Sequence, residues 1–259
     1  MANVVINDAH LNDIAAAIRA KNGSTDTYKP SEMAAAISAI EGSSDIGDTV
    51  SFDDYISRSL TGSIQVNCSA IGDYGLYGNK NMTSLTTTAT TIGESGCARC
   101  ISLTTVVMNN LISIGIGGFA GCQTLSSIQI PLCQTLSQSA FDSCKALRTF
   151  VAPSVTTVGT AVFSGCSNLT KIDFTNLSTV SSEAFIGATN LTDIIIRNTN
   201  AVPSAPNQGI LPSKFRSDTT STTKGYIYVP AAMMDAYASN SVWSILNYRA
   251  IEDYPEICG

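Results

Sequence analysis

Between residues 68 and 202 the apolar positions fall into columns. Leu76, Cys97, Phe119, Phe141, Phe163 and Phe185 follow one another at intervals of 21 and then 22 residues. Three residues after each come Asn79, Cys100, Cys122, Cys144, Cys166 and Ala188, and three further on Met82, Leu103, Leu125, Leu147, Leu169 and Leu191. The next column is Leu85, Val106, Ile128, Phe150, Ile172 and Ile194, followed two residues later by Thr87, Met108, Ile130, Ala152, Phe174 and Ile196. Each unit closes on Ile92, Ile114, Leu136, Val158, Val180 or Val202. Columns that stay in register across successive units define a tandem repeat. Within a unit the period changes. The gaps of three from Phe119 to Cys122 to Leu125 to Ile128 predict a short helical or 3-10 turn, and the gap of two from Ile128 to Ile130 predicts a strand. One strand per unit predicts a parallel sheet that grows along a solenoid axis, so the expected fold is an α/β repeat solenoid of units about 22 residues long. The residue before the aromatic column is small at Gly75, Gly96, Gly118, Ala140 and Ala184, which leaves room for close backbone approach; Val162 departs from this rule.

The flanks follow other patterns. In residues 1–42, Leu11, Ile14, Ala17 and Ile18 share one helical face, and Met33, Ala36, Ile37 and Ile40 share another. This predicts a small helical hairpin that buries too little to stand alone and serves attachment or self-association. Residues 43–49 have linker composition, and residues 50–67 are read as an N-terminal cap over the open end of the repeats. The repeats occupy residues 68–202. Residues 203–259 are read as a degenerate last repeat and a helical C-terminal cap. Tyr226 to Val229 is its strand, Ala231 to Tyr237 and Val242 to Leu246 are helical, and Met233, Tyr237, Trp243 and Leu246 cover the end.

Composition narrows the partners. Of 259 residues 44% are hydrophobic, enough for a substantial core, whereas only 13% are charged. Fourteen basic and twenty acidic residues give a formal charge of −6, without the basic footprint that nucleic acid requires. No apolar run approaches the length of a membrane-spanning helix, so no membrane insertion is expected. The N-terminus lacks a basic leader followed by an apolar stretch of signal-peptide length. As written, the expected location is virion-associated or cytoplasmic, with the cell surface as the alternative.

Reactive chemistry has little to build on. The single histidine, His10, lies far in sequence from any nucleophile motif, and no G-x-S-x-G occurs. Cys97-Ala98-Arg99-Cys100 has C-x-x-C spacing, but Cys97 takes the aromatic column and Cys100 the cysteine column, so both are read as core. Cys100, Cys122, Cys144 and Cys166 form an inward column whose stacked side chains point the same way, which favours reduced thiols over disulfides. Adjacent carboxylates at Asp53-Asp54 and Glu252-Asp253 diverge on any regular element, and Gly115, Gly117 and Gly118 lack the lysine context of a phosphate loop. No catalytic, cofactor or metal site is predicted. The candidate partner-binding positions are the outward residues of the repeat strands, in two columns: Ser84 and Thr86, Thr105 and Val107, Ser127 and Gln129, Thr149 and Val151, Lys171 and Asp173, Asp193 and Ile195.

The stretch from Leu125 to Leu136, LSSIQIPLCQTL, resembles the leucine-rich repeat pattern, and AFDSC at 140–144 with its counterpart VFSGC at 162–166 resembles the BspA-like bacterial subfamily. The resemblance covers about residues 68–202. It departs at the usual asparagine position, occupied by Leu111, Cys133, Val155 and Leu177, so an apolar inner corner is expected in place of an asparagine ladder. The family implies binding and adhesion roles, usually on cell surfaces, and no shared catalytic residue. IAAAIRAKNGSTDTYKPSEMAAAISAI resembles the segment that precedes repeat domains in predicted phage tail proteins of gut Firmicutes, and YIYVPAAMMDAYA resembles the closing segment after such repeats. Together these imply a non-enzymatic protein- or glycan-binding or structural scaffold, of phage or prophage tail type. The alternatives are a bacterial surface adhesin and, from another class, an enzyme with a site built from loops.

Overall fold

The computed structural model describes residues 60–66, 68–206, 211–218 and 220–259. The expected hairpin at 1–42, the linker at 43–49, the cap as far as residue 59, His10 and Asp53-Asp54 lie outside the described residues.

The chain coils so that each repeat contributes a rung to two parallel sheets. The front face carries β1 (Thr61–Val66), β3 (Asn81–Thr87), β5 (Thr105–Val107) and β7 (Ser127–Gln129), then β9 (Thr149–Val151), β11 (Lys171–Phe174), β13 (Asp193–Ile196), β14 (Tyr226–Val229) and β15 (Tyr248–Ala250). The back sheet is a run of two-residue strands: β2 (Ala70–Ile71), β4 (Thr91–Ile92), β6 (Ser113–Ile114), β8 (Thr135–Leu136), β10 (Thr157–Val158) and β12 (Thr179–Val180). Among the described residues all pairings between these strands are parallel, with one isolated antiparallel bridge from Arg216 to Leu246, and register joins equivalent residues of successive coils, such as Val106 to Ile128 in front and Ile114 to Leu136 behind.

The solenoid is thus a β-solenoid with two strands per repeat, and the helical or 3-10 turn expected between Phe119 and Ile128 is absent from the described repeats. The backbone explains why. The amides of Gly118, Ala120 and Cys122 bond inside the coil, to the carbonyls of Gly115, Gly117 and Phe119 at 3.1, 2.8 and 3.2 Å. Those of Gly117, Phe119 and Gly121 turn to the next coil, reaching Gln138, Ala140 and Asp142 at 2.9, 2.8 and 2.7 Å. A helix needs every amide for itself, and here half are spent between coils. A left-handed residue on each side of the aromatic position produces this alternation. One column is Tyr74, Ser95, Gly117, Ser139, Ala161 and Glu183, the other Gly78, Arg99, Gly121, Ser143, Gly165 and Gly187, all with φ between 51° and 74°.

The core runs the length of the coil. Every cysteine and aromatic of the repeat columns is buried, and Phe119, Phe141, Phe163 and Phe185 stack with centroids 5.5, 5.8 and 5.7 Å apart and planes within 7°. Parallel rings at that distance are offset, an arrangement worth about 0.5–1.5 kcal/mol per pair beyond area burial. A Cβ on Gly118 would lie 2.4 Å from Ile114 Cγ2, which accounts for glycine in that coil, while Ala140, Val162 and Ala184 fill the same position in later coils. The inner corner is apolar: Leu111, Cys133, Val155 and Leu177 are all buried.

The front face is interrupted once. β7 and β9 lie side by side but belong to separate hydrogen-bonded sheets, while β8 and β10 behind them stay paired. Phe150 lies at this interruption, on β9. It fills a column that is elsewhere Leu, Val or Ile, and wedges edge-on against Phe141, Phe163 and Phe174 at 5.2, 4.9 and 6.2 Å. Ile128, across the interruption on β7, is half-buried.

Beyond the repeats, α1 (Met234–Ser239) follows a 3-10 turn at Ala231–Met233, and Val242 to Leu246, expected as helix, is a series of turns. Asn240 Oδ1 accepts from the amides of Val242 and Trp243 at 2.9 and 3.2 Å, and this side-chain bond favours a turn over a helix. Met233, Tyr237, Trp243 and Leu246 are buried at the end of the coil, with Trp243 Nε1 donating to the Pro203 carbonyl at 2.7 Å. The last element, α2 (Pro255–Cys258), lies outside the front sheet.

Candidate functional site

Ladder register brings the outward residues of the front strands into two columns. One runs Ser84, Thr105, Ser127 and then Thr149, Lys171, Asp193, Tyr226; the other runs Thr86, Val107, Gln129 and then Val151, Asp173, Ile195, Tyr228, Arg249. The columns divide at the middle. Thr86, Ser127, Gln129, Thr149 and Val151 are exposed, Val151 by 56%, and Ser84, Thr105 and Val107 are half-exposed. This half is uncharged, and its hydroxyls are spaced by the strand separation of about 4.8 Å.

The other half is covered. Asp173 is only 9% exposed and Ile195 is fully buried, so neither is an open surface position as expected, and Lys171 and Asp193 are half-buried. The cause is the segment 251–259, which returns over the outer side of β11, β13 and β14. Ile195, Tyr228 and Cys258 form an apolar cluster there, separate from the main core and edged by Tyr226, Ile251, Tyr254 and Ile257. Polar contacts fix the segment. Arg197 is held by Asp173 through bonds of 3.0 and 2.7 Å and donates to the Cys258 carbonyl, while Lys171 Nζ donates to the Ile257 carbonyl. Arg249 stacks between the rings of Tyr226 and Tyr254, 3.4 and 4.6 Å from their centroids. Tyr228 donates to Asp193 Oδ1 at 2.9 Å, and burial together with that carboxylate pushes its phenol up to about 12. A signal for this cover is present in the sequence: Ile194, Ile195 and Ile196 break strand alternation, as expected for a strand buried on both sides.

Sequence reasoning missed the back sheet. Its outward column is Thr91, Ser113, Thr135, Thr157 and Thr179, one hydroxyl per coil. Two-residue strands leave one inward apolar residue each, too little for a period of two to register.

The cysteines are structural. Cys97 and Cys100 are both fully buried, and each member of the thiol column lies against the carbonyl of an aromatic-column residue one coil earlier. Cys100 Sγ donates to Leu76 O at 3.1 Å, Cys122 to Cys97 at 3.1 Å, Cys144 to Phe119 at 3.3 Å and Cys166 to Phe141 at 3.1 Å. Burial pushes the Cys133 and Cys166 thiols up to about 12 and those of Cys97 and Cys144 well above the ordinary range, the opposite of an activated nucleophile, while Cys100, lowered by its bond with Cys122, is itself fully buried. Among the described residues no group of three metal-ligating side chains comes together. Gly117 is one of the left-handed positions, and a Cβ on Gly115 would meet the Gly93 backbone at 2.8 Å, so this glycine cluster serves coil stacking. Glu252 and Asp253 are exposed, and Glu252 accepts from the Ala231 amide at 3.0 Å. Among the described residues no helix is long and apolar enough to cross a membrane.

Stacked parallel rungs with an inward column of apolar residues define a repeat scaffold. Residues 90–204 match the family described as BspA type leucine rich repeat region, in 6 copies. No curated protein matches the chain. Among solved structures, it is similar to a leucine rich repeat protein of T. pallidum, at 18% identity over 52% of this chain and 78% of that one, with a TM-score of 0.47. It is also similar to a leucine rich cell surface protein of Faecalibacterium prausnitzii (15% identity, 73% of this chain and 86% of that one, TM-score 0.36). A third likeness is to the pneumococcal vaccine antigen PcpA (14% identity, 73% and 78% coverage, TM-score 0.37). The matching family is a repeat family, and no enzyme family is indicated.

Proposed function

We propose that this chain is a non-enzymatic recognition scaffold that binds a protein or glycan surface through the front face of its repeats. The observation that carries the reading is the open half of that face, where Thr86, Ser127, Gln129, Thr149 and Val151 stand exposed in two columns on successive coils. A solenoid offers an extended, regular surface of this kind, and hydroxyl and amide groups repeating at strand spacing suit a polymer with its own repeat, a glycan above all. No aromatic stands in the open columns, so affinity is gathered from many weak contacts along the face and not from one hot spot. The resemblance of residues 14–40 to segments of phage tail proteins supports a virion or prophage tail role, with residues 1–42 as the attachment or self-association segment. The match of residues 90–204 to the BspA type leucine rich repeat region supports the second reading, a bacterial surface adhesin.

The test is binding of the purified chain to a glycan array and to intact bacterial cells, repeated with Thr105→Lys/Gln129→Lys. Loss of binding with an unchanged thermal melt is expected. Retained binding in that variant, with deletion of residues 1–42 abolishing assembly into particles, would reassign the repeats to a purely structural role.

A further inference from the structure

The segment that covers Asp173 and Ile195 does not belong to the core. Its apolar contacts form a cluster on the far side of the front sheet from the coil interior, so it can leave without opening the main core. The sheet holds it in two ways. Ile195 and Tyr228 receive apolar side chains, with Tyr254 set edge-on to Tyr228 at 5.5 Å. Lys171 and Arg197 bond main-chain carbonyls, those of Ile257 and Cys258. Carbonyls at the end of a short helix have no partner within it, and every peptide carries such groups. Asp173 fixes the guanidinium with two bonds, which pre-sets the reach of Arg197 before anything docks. The surface beneath continues, strand for strand, from the open positions of β9.

We infer that the outer side of β11, β13 and β14 is a peptide-docking site and that residues 251–259 are its built-in occupant. The site takes a short segment that presents two successive carbonyls to Lys171 and Arg197 and an aromatic and an aliphatic side chain to Tyr228 and Ile195, the chemistry of Tyr254-Pro255-Glu256-Ile257-Cys258. A protein partner carrying such a segment displaces the cover and gains the C-terminal half of the front face. This deepens the recognition reading and rests on it.

The experiment uses full-length chains and a fluorescein-labelled peptide of the sequence IEDYPEICG, residues 251–259. Ile257→Asp places a charge in the apolar cluster and releases the cover, and Tyr254→Ser is a second release variant should the first melt early. Anisotropy is expected to show the peptide binding either release variant at least tenfold more tightly than the wild-type chain. Adding Lys171→Ala/Arg197→Ala should remove that gain. Equal binding to wild-type and release variants, or binding indifferent to Lys171 and Arg197, overturns the inference. So does a wild-type dimer in sedimentation that dissociates in both release variants, which would make a second copy's segment the occupant. Each of these outcomes leaves cell and glycan binding by the open columns unaffected, so the two readings fail separately.

Discussion

At the scale of single residues, the thiol column stands where a larger polar side chain would have to satisfy the same carbonyls. Cysteine is small and apolar enough to stack once per coil, and its weak S–H donor is sufficient for Leu76, Cys97, Phe119 and Phe141. The cost is a dependence on protonation. Burial pushes Cys166 of this column, and Cys133 at the inner corner, up to about 12, so the unfolded chain loses these protons first as pH rises. Their stabilising contribution is complete below about pH 8.5 and is lost between there and pH 12, at about 1.4 kcal/mol per pH unit for each thiol. Urea midpoints should be level from pH 7 to 8 and fall beyond pH 9, with a shallower fall in Cys133→Ala. The left-handed turn positions make a second test. A Cβ on Gly187, at φ 73°, would lie 2.9 Å from the Gly165 amide nitrogen, so Gly187→Ala should cost roughly 1–2 kcal/mol in urea unfolding. Ala161→Gly, at φ 54°, should gain up to about 1 kcal/mol, because relief of strain outweighs the added freedom of the unfolded chain. The inward columns were readable because burial imposes their period. The left-handed columns were not, because Tyr74, Ser95, Arg99, Ser139, Ser143, Ala161 and Glu183 occupy positions that only a run of glycines would have announced.

At the scale of elements, each rung is held by its neighbours and by little of its own, as short parallel strands must be. The seam between β7 and β9 is therefore the weak joint of the front face. Hydrogen exchange should show faster amides on the sides of β7 and β9 that face the seam than between β9 and β11, while β8 and β10 stay protected. Phe150→Ala should cost about 3–5 kcal/mol, since the ring touches three other aromatics. A spacing of three residues was read as helix because it counts positions and not amides. Gly118 and Phe119 differ in where their N–H groups point, and that difference separates a turn-linked β-coil from a 3-10 helix.

At the scale of the molecule, one face carries two states. Its N-terminal half is open, and its C-terminal half is closed by a segment that reaches Arg197 from 61 residues away. The columns containing Asp173 and Ile195 are legible as outward positions, and the run Ile194 to Ile196 signals that this strand is covered on both sides, but which segment covers it is set by a contact from the far end of the chain. The back sheet offers the control that recognition needs: Thr135, Thr157 and Thr179 match the front in hydroxyl chemistry and coil spacing but stand on the other side. The decisive measurement compares binding to intact bacterial cells by two triple variants. One is Thr105→Lys/Gln129→Lys/Val151→Lys in front, the other Thr135→Lys/Thr157→Lys/Thr179→Lys behind. Loss of binding in the front variant alone is predicted; binding retained in front, or lost only behind, contradicts the account.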